Sequence, residues 1–180
     1  VFEKRPEKVS DEFLKGLEEI RRRGEDMDTI KTGFDALDQK IRGFMNSEMI
    51  IIGARPSMGK STLGMNIAYN MAREGKKIAY FSLEMSQKDL HKRLVKMQTG
   101  IENLYRIDIK QFESCARASR DIEDNLPIAI YDKPDMTVEG IRGICNHLRG
   151  NDEIDAVFID HMSILKSNKS FRSRYEEASD

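Results

Sequence analysis

Met49-Ile-Ile-Ile-Gly-Ala-Arg-Pro-Ser-Met-Gly-Lys-Ser61 joins an unbroken apolar run to a short turn and a Gly-Lys-Ser. Apolar residues without alternation mark a strand covered on both faces, so residues 49–52 are expected to form a buried strand of a parallel sheet. A turn directly after such a strand, opening into a helix, is the context that a phosphate-binding loop requires. In such a loop, Ala54, Arg55, Pro56, Ser57, Met58 and Gly59 form a concave backbone cradle for an anion, and the helix N-terminus adds positive potential. Gly59 permits close backbone approach, Lys60 places a cation on the β- and γ-phosphates of ATP, and the Ser61 hydroxyl can ligate Mg²⁺. Thr62 is placed to touch the α-phosphate. The loop opens on Ala54 where glycine is usual. The competing reading, a chance Gly-Lys-Ser at a helix start, has to ignore the strand before it and the acids after it.

Outward from this loop the chain alternates strands and helices. A helix is expected from about Lys60 to Glu74, ended by Gly75, then a strand from Lys77 to Leu83. Ser86 can cap a helix to about Gln98, with Gly100 beyond it, and a further helix runs from Asp108 to Asn125. Pro127 precedes a strand at Ile128 to Tyr131. Thr137 can cap a helix to about Leu148, and a last apolar strand, Ala156 to Ile159, ends at Asp160. This order predicts an α/β fold of the P-loop NTPase kind, a mostly parallel sheet with helices on both faces.

Two acids stand where they can act on a bound phosphate. Asp160 at the carboxyl end of an apolar strand can hold Mg²⁺ through water. Glu84, after the second strand, can orient or deprotonate an attacking water. On spacing alone it reads equally as a capping or surface glutamate. His161 either meets the γ-phosphate region or shapes the turn, and the second reading is preferred. His91 and His147 fall within helices and are read as structural.

The N-terminal part has a different character. Ser10 to Arg23 reads as an exposed amphipathic helix with Phe13, Leu14, Leu17 and Ile20 on one stripe. Residues 24–31 read as a polar linker, which gives a linker segment over 1–31 and an ATPase domain over 32–180. Thirty basic against 31 acidic residues leave a net charge of −1, so contact with nucleic acid must be local rather than spread over a basic face. No apolar run approaches the ~20 residues of a membrane span, and residues 1–10 lack a signal-peptide core. Cys115 and Cys145 have no metal-ligand spacing and read as reduced thiols of a cytoplasmic protein.

Thr32-Gly-Phe-Asp-Ala-Leu-Asp38, Ile50 to Ser61, Phe81-Ser-Leu-Glu-Met-Ser86 and Phe158-Ile-Asp160 follow one another at fitting distances. From about Thr32 onward this resembles the ATPase domain of replicative DNA helicases of the bacterial DnaB type. The resemblance implies a RecA-like core, a ring of six subunits with ATP between neighbours, and single-stranded DNA threading the ring, with a primase and a helicase loader as further partners. It assigns the catalytic glutamate to Glu84, the P-loop lysine to Lys60 and the magnesium aspartate to Asp160. It likens the Ser10 helix to a linker helix that docks on the next subunit. Lys169, Arg172 and Arg174, in a basic stretch after the Asp160 strand with Phe171 among them, are the candidate DNA contacts. The sequence departs from the pattern at His161-Met162-Ser163, where Tyr-Leu-Gln is usual in bacteria. It also stops at Asp180, before the expected phosphate sensor, arginine finger and last strands. Other readings are a RecA-like recombination or repair ATPase, against which the Phe81 to Ser86 motif argues, and a nucleotide-binding assembly module without motor activity.

Overall fold

The exposed stripe expected near the start lies on α1 (Val9–Arg23), where Phe13, Leu14 and Leu17 all face solvent. In the computed structural model, which describes residues 9–23, 29–133, 135–151 and 154–161, the chain divides into two compact units, 1–50 and 51–180.

In the first unit, two residues of the stretch read as a linker form a strand. β1 (Thr29–Ile30) precedes α2 (Asp35–Ile41) and pairs antiparallel with β2 (Phe44–Met45), Thr29 opposite Met45 and Ile30 opposite Phe44. Gly43 makes the pairing possible. Its φ is +90°, and a Cβ there would lie 2.8 Å from the Ile30 carbonyl oxygen. The Thr32 to Asp38 motif has a local purpose. The Asp38 carboxylate accepts hydrogen bonds from the Thr32 N–H and hydroxyl, both at 2.9 Å, and from the Gly33 N–H at 3.1 Å. One side chain thus satisfies the backbone donors of the turn that leads into α2.

The second unit carries the strand and helix alternation. α3 (Lys60–Arg73), β3 (Ile78–Ser82), α4 (Gln87–Thr99), α5 (Ile109–Asn125), β4 (Ile128–Tyr131), α6 (Val138–Gly150) and β5 (Ala156–Asp160) follow in order. The sheet has the order β4-β3-β5 and is parallel throughout, with Ile78 opposite both Ile128 and Ala156, and Ser82 opposite Asp160. Every residue of the central β3 is buried. On one face, Ala79 and Phe81 pack with Met136 and Ile141, joined by Ile144 and Leu148 of α6. On the other, the Tyr80 hydroxyl lies 3.9 Å from the point where a β-carbon on Gly64 of α3 would stand. Helices therefore cover both faces, as parallel strands require.

Local signals place the helix ends. The Ser86 hydroxyl accepts from the Asp89 N–H at the start of α4, and Gly100 ends that helix in the left-handed conformation. Asp108 and Gln111 form a reciprocal capping box on α5, with bonds of 2.7 and 3.0 Å. Thr137 caps α6 through the Gly140 N–H at 3.1 Å. No described helix is long and apolar enough to cross a membrane.

One expectation fails. Residues 49–52 are not a strand, and Met49, Ile50 and Ile51 are exposed, at 73, 45 and 77%. A strand exists only as a member of a ladder, and among the described residues no strand pairs with this run. Its apolar character carries no force without a neighbour to complete it.

Candidate active site

The loop that follows, residues 54–59, is exposed along its length. Met58 N–H donates to the Arg55 carbonyl at 3.3 Å, which closes a tight turn. Two residues of the turn sit in the left-handed region, Ser57 at φ +64° and Gly59 at φ +87°. Glycine takes this conformation freely, whereas serine does so at a cost of order 1 kcal/mol, the kind of local strain found at ligand clamps. Gly59 is the N-cap of α3 and provides no side-chain acceptor, so the first N–H groups of the helix stay open to an anion. Lys60 and Ser61 begin the helix, half-buried, and Thr62 follows, exposed.

The sheet brings the two acids to the same edge. Asp160 ends β5, buried, opposite Ser82, and the Leu83 N–H donates to the Asp160 carbonyl at 2.8 Å. Lys60 Nζ stands 3.6 Å from Asp160 Oδ1, which brings the loop lysine to the strand-end aspartate. Glu84 lies in the turn just beyond β3, with its side chain 61% exposed. Ser86, not Glu84, caps α4, which removes the capping reading of Glu84. Glu84 Oε2 is 3.5 Å from His161 Nδ1, too long for a good hydrogen bond. His161 thus turns toward Glu84, and the Asp160–His161 peptide is cis.

Sequence reasoning passed over two residues of this edge. The hydroxyl of buried Ser82 donates to the Met85 carbonyl at 2.7 Å and accepts from the Met85 N–H at 3.1 Å, which fixes the turn carrying Glu84. The Tyr80 hydroxyl donates to Asp160 Oδ2 at 3.4 Å. Burial first, then the Asp160 charge and its hydrogen bond, push the Tyr80 phenol far above its ordinary range, so it stays protonated and a donor. A hydroxyl residue one position before the Leu-Glu-Met turn, and a tyrosine inside a strand expected to be buried, were the available signals. Lys169, Arg172, Arg174 and Phe171 lie outside the described residues.

The donor set suits Mg²⁺. Among the described residues no three His, Cys, Asp or Glu cluster as a protein-only metal cage would need. Mg²⁺ is held in nucleotide sites by one or two protein oxygens, with waters and phosphates completing its shell. The Asp160 carboxylate, 3.6 Å from Lys60, and the hydroxyl of Ser61, next to Lys60 in sequence, are oxygens of this kind.

A family model described as the DnaB-like helicase C terminal domain matches residues 29–180. The replicative DNA helicase DnaB of Treponema pallidum is 35% identical over 171 residues, covering 92% of this chain and 39% of that protein. The replicative DNA helicase DnaC of Bacillus subtilis is 31% identical over 170 residues, covering 91% of this chain and 37% of that protein. The chain thus spans less than half the length of these relatives. Among solved structures, a DnaB-like replicative helicase, studied with its primase interactions, superposes with a TM-score of 0.81 at 27% identity, covering 96% of this chain and 44% of that one. A second solved structure, described as an ATPase domain, gives a TM-score of 0.78 at 25% identity, with 97% of this chain and 64% of that one covered. The fold is a RecA-like core.

Proposed function

This chain belongs to the family of DnaB-like helicase C-terminal domains, and on that footing we propose that it binds and hydrolyses ATP as the motor of a ring-shaped replicative helicase. The observation that carries the reading is the 3.6 Å approach of Lys60 to Asp160 at the sheet edge from which Glu84 also projects. A P-loop cation, a strand-end aspartate and a carboxylate in an exposed turn are the parts that phosphoryl transfer to water needs.

In this reading, the backbone N–H groups of residues 54–59 and the first turn of α3 hold the phosphates. The Lys60 ammonium, in a loose and partly exposed ion pair with Asp160, turns to the β- and γ-phosphates. Asp160 and Ser61 would hold the Mg²⁺ ion, which would neutralise the charge that develops on the phosphate oxygens. Glu84 accepts a proton from a water aligned with the γ-phosphorus. The new P–O bond forms to that water's oxygen, the bond to the β,γ-bridging oxygen breaks, and ADP and phosphate leave.

The proposal extends to residues 32–180 as the ATPase domain, 1–31 as the linker segment, a hexamer working in the cytoplasm on single-stranded DNA, and contacts with primase and a loader. ATPase rate with and without single-stranded DNA, measured on the natural full-length protein carrying this chain, tests it. Stimulation by DNA is expected. Hydrolysis indifferent to DNA would leave only a nucleotide-binding assembly module.

A further inference from the structure

The geometry points to Tyr80 as the positioning residue of the metal site: its hydroxyl fixes the Asp160 carboxylate so that the other oxygen is presented to Mg²⁺. This rests on the reading of Asp160 as the Mg²⁺ ligand and goes one layer beneath it. The two carboxylate oxygens have different neighbours. Oδ1 faces Lys60 at 3.6 Å, whereas Oδ2 takes the bond from Tyr80 at 3.4 Å. An aspartate has two side-chain torsions, and a donor on one oxygen, even at this long distance, biases which of their settings is kept.

Tyr80 is well built for holding a direction. It sits in the central strand at 1% exposure. Its ring stacks on Phe158, with centroids 5.8 Å apart and planes 13° from parallel. Phe158 is its register partner and lies on the same face of β5 as Asp160. The strand that carries the carboxylate therefore also aims the phenol. Gly64 on α3 leaves space for the hydroxyl, since even a β-carbon there would lie at an ordinary 3.9 Å. A buried phenol needs some acceptor, but that alone does not require the acceptor to be the aspartate at the strand's end. Phenylalanine would satisfy the stacking and the burial equally. What the hydroxyl adds is the hold on Oδ2.

The test uses the natural full-length protein and a fluorescent non-hydrolysable ATP analogue, so that turnover plays no part. The Mg²⁺ concentration giving half-maximal Mg²⁺-dependent binding is measured for the parent, Tyr80→Phe and Asp160→Asn, along with analogue affinity in excess EDTA. Tyr80→Phe should raise the half-saturating Mg²⁺ concentration on the order of tenfold while the affinity in EDTA stays at the parental value. Asp160→Asn should lose the Mg²⁺ response. If Tyr80→Phe titrates like the parent while Asp160→Asn loses the response, the positioning role is wrong and the ligand assignment stands. If Asp160→Asn keeps the parental response, the ligand assignment falls and the role of Tyr80 with it. If Tyr80→Phe weakens binding equally with and without Mg²⁺, the hydroxyl serves the fold and the inference is overturned.

Discussion

Ser82 and Met85 grip each other across the turn that carries Glu84, through a 2.7 Å bond to the Met85 carbonyl and a 3.1 Å bond from its N–H. The serine is buried in the central strand, so the turn is tied to the most rigid part of the sheet. Ser82→Ala leaves both Met85 backbone groups without that partner. It should cost about 1–2 kcal/mol in denaturant unfolding. It should also slow ATP hydrolysis on the order of tenfold, through misplacement of Glu84, with nucleotide affinity unchanged. An unaltered turnover would mean that Glu84 does not depend on this turn.

Lys60→Ala removes the cation assigned to the phosphates. A charge-assisted contact of this kind contributes roughly 1.5–3 kcal/mol, which is on the order of tenfold to a hundredfold in affinity for ATP·Mg²⁺. Calorimetric titration reads this directly, and parental affinity would place the nucleotide elsewhere.

Glu84→Gln keeps the size and hydrogen-bonding capacity of the side chain and removes the base. Nucleotide binding should survive while hydrolysis in the full-length protein falls by roughly 10²–10⁴-fold. Equal rates for variant and parent would return Glu84 to a surface residue.

The face of α1 that bears Phe13, Leu14 and Leu17 is predicted to dock on a neighbouring subunit, because an isolated helix of this length is marginal in water. Leu17→Asp should therefore shift the assembly toward smaller species in light scattering. A parent protein that is monomeric at high concentration with nucleotide present would count against subunit docking.

Lys169, Arg172 and Arg174 are predicted to hold the phosphate backbone of single-stranded DNA. Their replacement by Ala should weaken binding to all sequences alike and flatten the salt dependence by roughly 0.7 in slope per lost phosphate contact. An unchanged affinity and slope in the full-length ring would put the DNA path elsewhere.

What could be read in advance follows the range of the forces involved. The bounds of α4 and α5 were legible because Ser86, Gly100, Asp108 and Gln111 act within one turn of chain. The placing of Glu84 and Asp160 at one end of the sheet was legible because parallel strands deliver their carboxyl ends together. β1 and β2 were not, since two-residue strands have no periodicity to detect, and their pairing rests on the single permissive residue Gly43. α2 is only seven residues long and was passed over in the same way. The run at residues 49–52, exposed at Met49, Ile50 and Ile51, shows the converse: apolar character states a capacity for burial, and a partner decides whether it is used. Tyr80 and Ser82 were missed because their roles depend on contacts that strand pattern alone does not specify.

The register of β3 against β5 divides the chain into lengths that can vary and lengths that cannot. Side chains alternate between faces along a strand, so deleting one residue within Ala156–Asp160 would swing the carboxylate from the side of Tyr80 to the side where Phe81 and Ile141 pack. A charge set among those apolar side chains goes uncompensated, and the whole site is lost at one stroke. The loop at residues 101–107 is free of this constraint, because its length does not enter the register at all. The molecule is therefore expected to tolerate insertion and deletion far better in that loop, which falls between Glu84 and Asp160 in sequence, than at either acid.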